Sequence, residues 1–370
     1  MGDTETLNLL LLFRILEDKP VPLAKLLRSF DNAGVVLNSA SAFELAAAGM
    51  SERIIELIQH RNASFQDKDE LQQAVEADLR WLQQKNNHLL VLGDPGYPAL
   101  LAEINDPPVL LFCRGDLEAF STLKIAIVGS RNPTRMGLKH AEDFARQFGA
   151  LGIAVTSGLA LGIDAAGHRG ALAVDGVTLA ILGTGCDVIY PARHHKLADR
   201  ITDRGLVISE FPLGTTVYPG NFPRRNRIVT GLSLGTLIVE AQEKSGSLIS
   251  ARLAMEQGRE VFAIPGSIQS WQSRGCHQLI REGVTLVENV DQVLQELGSL
   301  AEFQLKEQRG SEILLSPAKV NILGQLSAAP VVIDQLSDIL DLDVSEVLAL
   351  LVELEIDGCI VSEAGGYCLA

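Results

Sequence analysis

From residue 123 onward, short apolar runs rich in β-branched residues return at intervals: 123–128, 153–156, 178–182, 206–209, 236–239, 261–264 and 285–287. Between most of them lies a stretch with helical apolar spacing that begins on glycine or on a capping serine. Successive side chains of a strand point to opposite faces, so a run that is apolar throughout must be covered on both. Such strands alternating with helices predict an α/β fold, a Rossmann-like parallel sheet with helices on either face. Ligands of these sheets bind beyond the carboxyl ends of the strands, which is where binding chemistry is to be sought.

At 370 residues the chain exceeds a single hydrophobic core, and two or three domains are expected. Residues 1–68 read as short helices, with Leu7, Leu10, Leu11, Ile15 and then Leu23, Leu26, Leu27 at helical spacing and Ser41 and Ser51 as N-caps. This is a helical module of SAM or helix-hairpin-helix type. Residues 69–300 form the sheet domain, entered through a charged helix near 67–84 and turns at Asp94-Pro95-Gly96 and Asp106-Pro107-Pro108. A polar linker at 304–310 leads to 311–370. There, helical stretches near 317–326, 331–340 and 343–357 precede two strands, 359–361 and 367–369, joined at Ala364-Gly365-Gly366. That order is a winged-helix pattern.

The net charge of −15 argues against a nucleic-acid partner until it is divided along the chain. Residues 121–290 hold 18 Lys+Arg against 14 Asp+Glu, whereas 291–370 hold 3 against 14. A phosphate responds to the local field, not to the total. The apolar segment Leu9 to Phe13 is too short to span a bilayer and lacks a basic segment before it. The five cysteines show no CxxC or Cys/His pairing, so neither disulfides nor a metal site are expected. The cytoplasm is the expected compartment, with no membrane contact.

Four strand ends concentrate polar residues. Gly129-Ser130-Arg131 turns tightly after a buried strand, and the amides of the next helix could face an anion. Arg131 has the fork suited to phosphate, or it pairs with a neighbouring carboxylate. Ser157, Gly158 and Gly162 allow close approach to backbone, with Asp164 as the N-cap of the next helix and His168 one turn on. Those two residues either hold the loop or act as acid and base. Phe222-Pro223-Arg224-Arg225-Asn226-Arg227 puts three guanidinium groups in four residues beside an aromatic face for a base, unless the arginines clamp nearby carboxylates. Ser245-Gly246-Ser247 opens a helix, a further anion seat. No GxGxxG, Walker lysine, Ser/His/Asp set or metal cluster accompanies these loops, so no catalytic residue, cofactor or metal is assigned.

Taken together, IAIVGSR, TSGLALGID, GCDVIYP, ISEFP, FPRRNRIVTGLS, VEAQEKSGSLISA, GREVFAIPGS and GCHQLIREG resemble the DNA-processing protein A (DprA/Smf) family over about 121–290. Weaker echoes, DPGYP and NDPPVLLFCRGD, extend back to about 94. The resemblance implies an extended Rossmann core without known catalytic activity. It implies binding and protection of single-stranded DNA, and loading of the RecA recombinase onto it during natural transformation, by a homodimer. It makes Arg131 a DNA contact and sets the FPRRNR block in the same basic pocket. After Tyr190-Pro191 the family often has a lysine, where this chain has Ala192-Arg193-His194-His195-Lys196; Arg193 or Lys196 stands in for it. The resemblance also points to His277, Leu279 and Ile280 for the dimer interface. With about four phosphates neutralised, log affinity would fall with log salt at a slope of about −3.

The last helical stretch carries Asp343, Glu346, Glu353, Glu355 and Asp357, and no Lys, Arg or His follows Lys319. A phosphate backbone is repelled there, so the winged helix is expected not to bind DNA. Two other readings compete. Gly235-Thr236 leading to Glu240 is faintly similar to the signature of phosphoribohydrolases, nucleotide-processing enzymes of the wider superfamily, although their paired glycines are missing. A nucleotide-sensing scaffold would bind mononucleotides tightly and gain little with oligomer length.

Overall fold

All seven expected strands pair into one sheet, at Lys124–Val128 (β3), Ala154–Ser157 (β4), Thr178–Ile181 (β5), Leu206–Ser209 (β6), Gly235–Ile238 (β7), Glu260–Ala263 (β8) and Thr285–Leu286 (β9). The structure is a computed structural model that describes residues 3–16, 20–30, 32–59, 68–298, 321–323, 325–326, 331–340, 342–356, 360–363 and 366–369. Two further strands, Asn87–Val91 (β1) and Leu110–Gly115 (β2), extend the sheet, so that its order is β1-β2-β6-β5-β4-β3-β7-β8-β9. They run antiparallel, β1 to β2 and β2 to β6, while every other pairing is parallel. The prolines before β2 read as a turn and masked the strand that follows them.

Alternate strand residues enter two cores. Phe112, Ala180 and Val207 face one side of the sheet; Leu111, Cys113, Leu179, Ile181, Leu206 and Ile208 face the other. The first core also takes in the N-terminal helices, which run from Asp3–Ile15 to Lys68–Leu82. The rings of Phe13 and Trp81 each lie 6.1 Å from that of Phe112. Arg14 meets the buried Asp78 through two hydrogen bonds of 2.6 Å. The helices foreseen for 1–68 therefore lie in the same compact unit as the sheet, Met1–Gly298; the second unit is Ser299–Ala370. The Ser41 cap forms as read: Ser41 Oγ accepts the Glu44 N–H, and the Glu44 carboxylate accepts the Ser41 N–H.

Chain order fixes where the sheet opens. From β3 the chain proceeds outward through β4, β5 and β6, then crosses back to lay β7 on the other side of β3. The connections leaving β3 and β7 diverge to opposite faces, and the crevice between their carboxyl ends is the binding position of such sheets.

In the second unit, helices Ile333–Leu340 and Val344–Ile356 precede an antiparallel hairpin, Ile360–Glu363 with Gly366–Leu369. Leu336, Val347, Leu351, Leu354 and Ile360 form its core, and Val331 pairs with Tyr367 beside the hairpin. Residues 321–323 of the expected first helix are helical, while the linker at 304–310 and the turn at Ala364-Gly365 lie outside the described residues. Among the described residues no helix is long and apolar enough to cross a membrane.

Candidate functional site

A cleft of about 580 Å³ opens at the crevice between β3 and β7. Gly129, Ser130 and Arg131 leave β3 along one wall; Gly158, Ala160 and Asp164 come from beyond β4; Phe222, Arg225 and Asn226 come from the helix Asn221–Gly231; Ser245, Gly246 and Ser247 start the helix Gly246–Glu256. Four segments spread over more than 100 positions of the sequence thus meet where the sequence placed its polar strand ends.

The loop after β4 is held from inside. The buried Asp164 carboxylate accepts the N–H groups of Gly158 (3.1 Å) and Ala160 (3.3 Å). Burial raises its carboxyl, opposed by Arg225 and by those amides. Asp164 is therefore not the N-cap, which is Gly162 at φ +79°, where a Cβ would meet the Ser130 carbonyl at 2.3 Å. Gly158 makes room for a side chain: its Cβ would stand 2.2 Å from Arg225 Nη1. Arg225 is buried, bonded to the Ile181 carbonyl, and desolvation lowers it to about 10 against the pull of Asp164. His168 is sealed in, with Nδ1 2.7 Å from Thr178 Oγ1, and burial lowers it to about 3. A neutral, enclosed imidazole fits the loop-and-core reading better than acid–base work.

Several expected anion contacts prove to be internal. The N-terminus of the helix Arg135–Ala150 is filled by Glu240, whose carboxylate accepts Thr134 N–H (2.9 Å) and Thr134 Oγ1–H (2.6 Å). That contact also commits the carboxylate on which the phosphoribohydrolase reading leans. Arg227, expected on the DNA, donates instead to Glu210 (2.7 Å) and Asp106 (3.1 Å) and is buried. Arg224 donates to the same Glu210 oxygen at 3.1 Å and lies over the Phe211 ring. Burial raises the Glu210 carboxyl, and the two guanidinium groups oppose that shift. The carboxylate-clamp alternative thus holds for Arg224 and Arg227. Ser157 is buried and ties β4 to β3 through the Ile127 carbonyl (2.6 Å).

Arg131 stays exposed at the rim, its guanidinium carbon 5.4 Å from the Phe222 ring centre. It also lines a second groove of about 580 Å³, with Gly162, Arg169, Arg193 and His194. Lys196 is exposed but lines neither cavity. On the helix Arg274–Arg281, Leu279 belongs to the monomer core and offers no surface; His277 and Ile280 are half-buried. Sequence reasoning missed Tyr190, Val217 and Pro219 on the cleft wall, because single apolar residues in loops carry no periodic signal, and Ile249, which lies on the first turn of the helix Gly246–Glu256.

Comparison with known proteins follows the same lines. The family model described as DNA recombination-mediator protein A matches residues 88–298, and the DprA winged helix domain matches 307–366. The chain belongs to this family. It is 38% identical over 304 residues to Protein Smf of Escherichia coli, covering 80% of each chain, and 46% identical over 203 residues to DNA processing protein DprA of Streptococcus pneumoniae, covering 55% of this chain and 72% of that one. The X-ray structure of the Streptococcus pneumoniae DprA superposes with a TM-score of 0.64 at 37% identity, over 75% of this chain and 93% of the other. A structure of DNA processing protein A from Helicobacter pylori, whose subject is single-stranded DNA binding, gives 0.52 at 32% identity, over 58% and 96%. The matched region 88–298 takes in the antiparallel strand β2 as well as the whole parallel sheet.

Proposed function

We propose that this chain is a non-catalytic recombination mediator, acting in the cytoplasm, that binds and shields single-stranded DNA and loads RecA onto it during natural transformation. One observation carries the reading. The exposed Arg131, at the sheet's switch point, lines two cavities, and the first of them is also lined by the helix start at Ser245, Gly246 and Ser247. A guanidinium fork and a helix N-terminus are suited to phosphate. A flexible single strand can follow such a wall and turn its bases outward, whereas a stacked duplex is too stiff to enter.

The contact set is smaller than the sequence suggested. With Arg224 and Arg227 engaged by carboxylates, phosphates meet Arg131 and then Arg193 in the second groove, and leave it past the exposed Lys196, with Gly129, Ser130 and Asn226 shaping the wall. Three contacts give a log–log salt slope of about −2, shallower than four arginines would give. The test is a titration of single-stranded and duplex oligonucleotides of equal length across salt concentrations. Tighter single-strand binding with that slope is expected; a flat salt response, or equal affinity for duplex, overturns the reading. The RecA step is tested by recombinase filament nucleation on coated single strands, which the protein should accelerate. A homodimer through His277 and Ile280 is tested by the mass in solution of charge-introducing variants at those positions.

A further inference from the structure

We propose that Tyr190 is the platform on which a nucleobase stacks in the cleft, with Phe222 behind it as support; the inference rests on the single-stranded DNA reading above. The cleft is lined by polar side chains, Arg131, Asn132, Ser245 and Ser247 among them, and by an aromatic bank, the paired rings of Tyr190 and Phe222. A nucleotide brings an anionic phosphate and a π face together, so its base belongs on the aromatic bank.

Of the two rings on that bank, Phe222 is already engaged. Its face carries the Arg131 guanidinium at 5.4 Å. The Tyr190 ring tilts against it at 42° with centroids 5.8 Å apart. Its Cδ1 lies 2.9 Å from where a Cβ on Gly183 would stand, so the backbone closes another side. Tyr190 is the ring left open: it lines the cleft and is 45% exposed. The contact that engages Phe222 also anchors Arg131, so a phosphate held there brings its own base to the aromatic bank. The stacking face expected at Phe222 thereby passes to its neighbour, and Phe222 becomes a positioning residue for both groups.

The test compares oligothymidylate with an abasic oligonucleotide of equal length, bound to wild type and variants and followed by anisotropy. Tyr190→Ala is expected to weaken thymidylate binding about tenfold, the effect of losing one stacked base. Tyr190→Phe keeps the affinity, and Tyr190→Leu, with apolar bulk but no π face, loses about as much as alanine. On the abasic strand wild type and Tyr190→Ala bind alike. Full thymidylate affinity in both the alanine and leucine variants overturns the proposal. So does an equal loss on the abasic strand, which would make the ring a mere prop for Arg131. A wild-type chain that binds neither single strand overturns the broader reading and this one with it.

Discussion

Arg131 at the tip of β3 and Phe222 on the helix Asn221–Gly231 meet as a cation and a ring, 5.4 Å from guanidinium carbon to ring centre. The contact bridges 91 positions in sequence and fixes a long, otherwise free side chain at the mouth of the cleft. Such a contact is worth about 0.5–1 kcal/mol at an exposed site. Its main effect is orientation, because a guanidinium held on a ring loses less freedom when a phosphate arrives.

Arg131→Ala is therefore expected to weaken single-stranded DNA binding by about 1.5–3 kcal/mol, the range for a hydrogen bond to a charged group. Its residue is exposed, so the thermal midpoint should move little. Anisotropy and a melting curve on the same sample check both halves; a large drop in midpoint without loss of affinity sinks the assignment.

Arg227→Ala should do the reverse. It removes the best-placed partner of the buried Glu210, and breaking such a pair from one side costs about 3–5 kcal/mol. Urea denaturation reads the loss, while the salt slope of DNA binding in the folded variant stays at the wild-type value. A slope that becomes shallower by one contact would return Arg227 to the DNA interface.

Gly158→Ala tests the cleft floor. The new methyl group would stand 2.2 Å from Arg225 Nη1, so the buried guanidinium or the loop must shift. Overpacking of this kind costs about 1–3 kcal/mol. Both stability, read by urea denaturation, and single-stranded DNA affinity, read by anisotropy, should fall together; wild-type values for both would sink this view of the floor.

His168 gives the protein an acid-side slope. Its folded-state value is lowered to about 3, against 6.5 for the free side chain. Between those values the unfolded chain binds a proton that the folded chain refuses, so stability falls as pH drops below about 6.5. The steepest contribution is about 1.4 kcal/mol per pH unit. Urea midpoints measured from pH 7 to pH 4.5 should fall less steeply in His168→Gln than in wild type.

Removal of residues 299–370 tests the acidic unit. Asp343 and Glu346 are exposed there and no cation follows Lys319, so the shortened chain should bind single-stranded DNA at least as tightly as the full one. A tenfold loss of affinity would place DNA contacts in the winged helix after all.

The seven parallel strands were legible because continuous apolar runs report burial on two faces directly, and so were the loops that converge, because strand ends are topologically fixed. Strands β1 and β2 were not, since Pro107 and Pro108 resemble a turn and the pairing partner, β6, lies about 100 residues away. The arginines show the sharper limit. Arg225 and Arg227 look alike in sequence, yet one reaches the Ile181 carbonyl and the other Glu210 and Asp106. Glu210 sits in ISEFP and Asp106 before a proline, positions whose proximity only the folded sheet creates. Likewise, nothing local announces that Glu240 fills the helix start beside Thr134.

That clasp has a consequence for how anything enters the cleft. Glu240 leaves β7 and grips the segment that leaves β3, so the two sides of the crevice are latched across the point where the winding reverses. The walls are pre-organised during folding, and an arriving strand need only order itself. Association should accordingly resemble a rope settling into a fixed pulley, with the flexibility contributed by the nucleic acid and the shape by the protein.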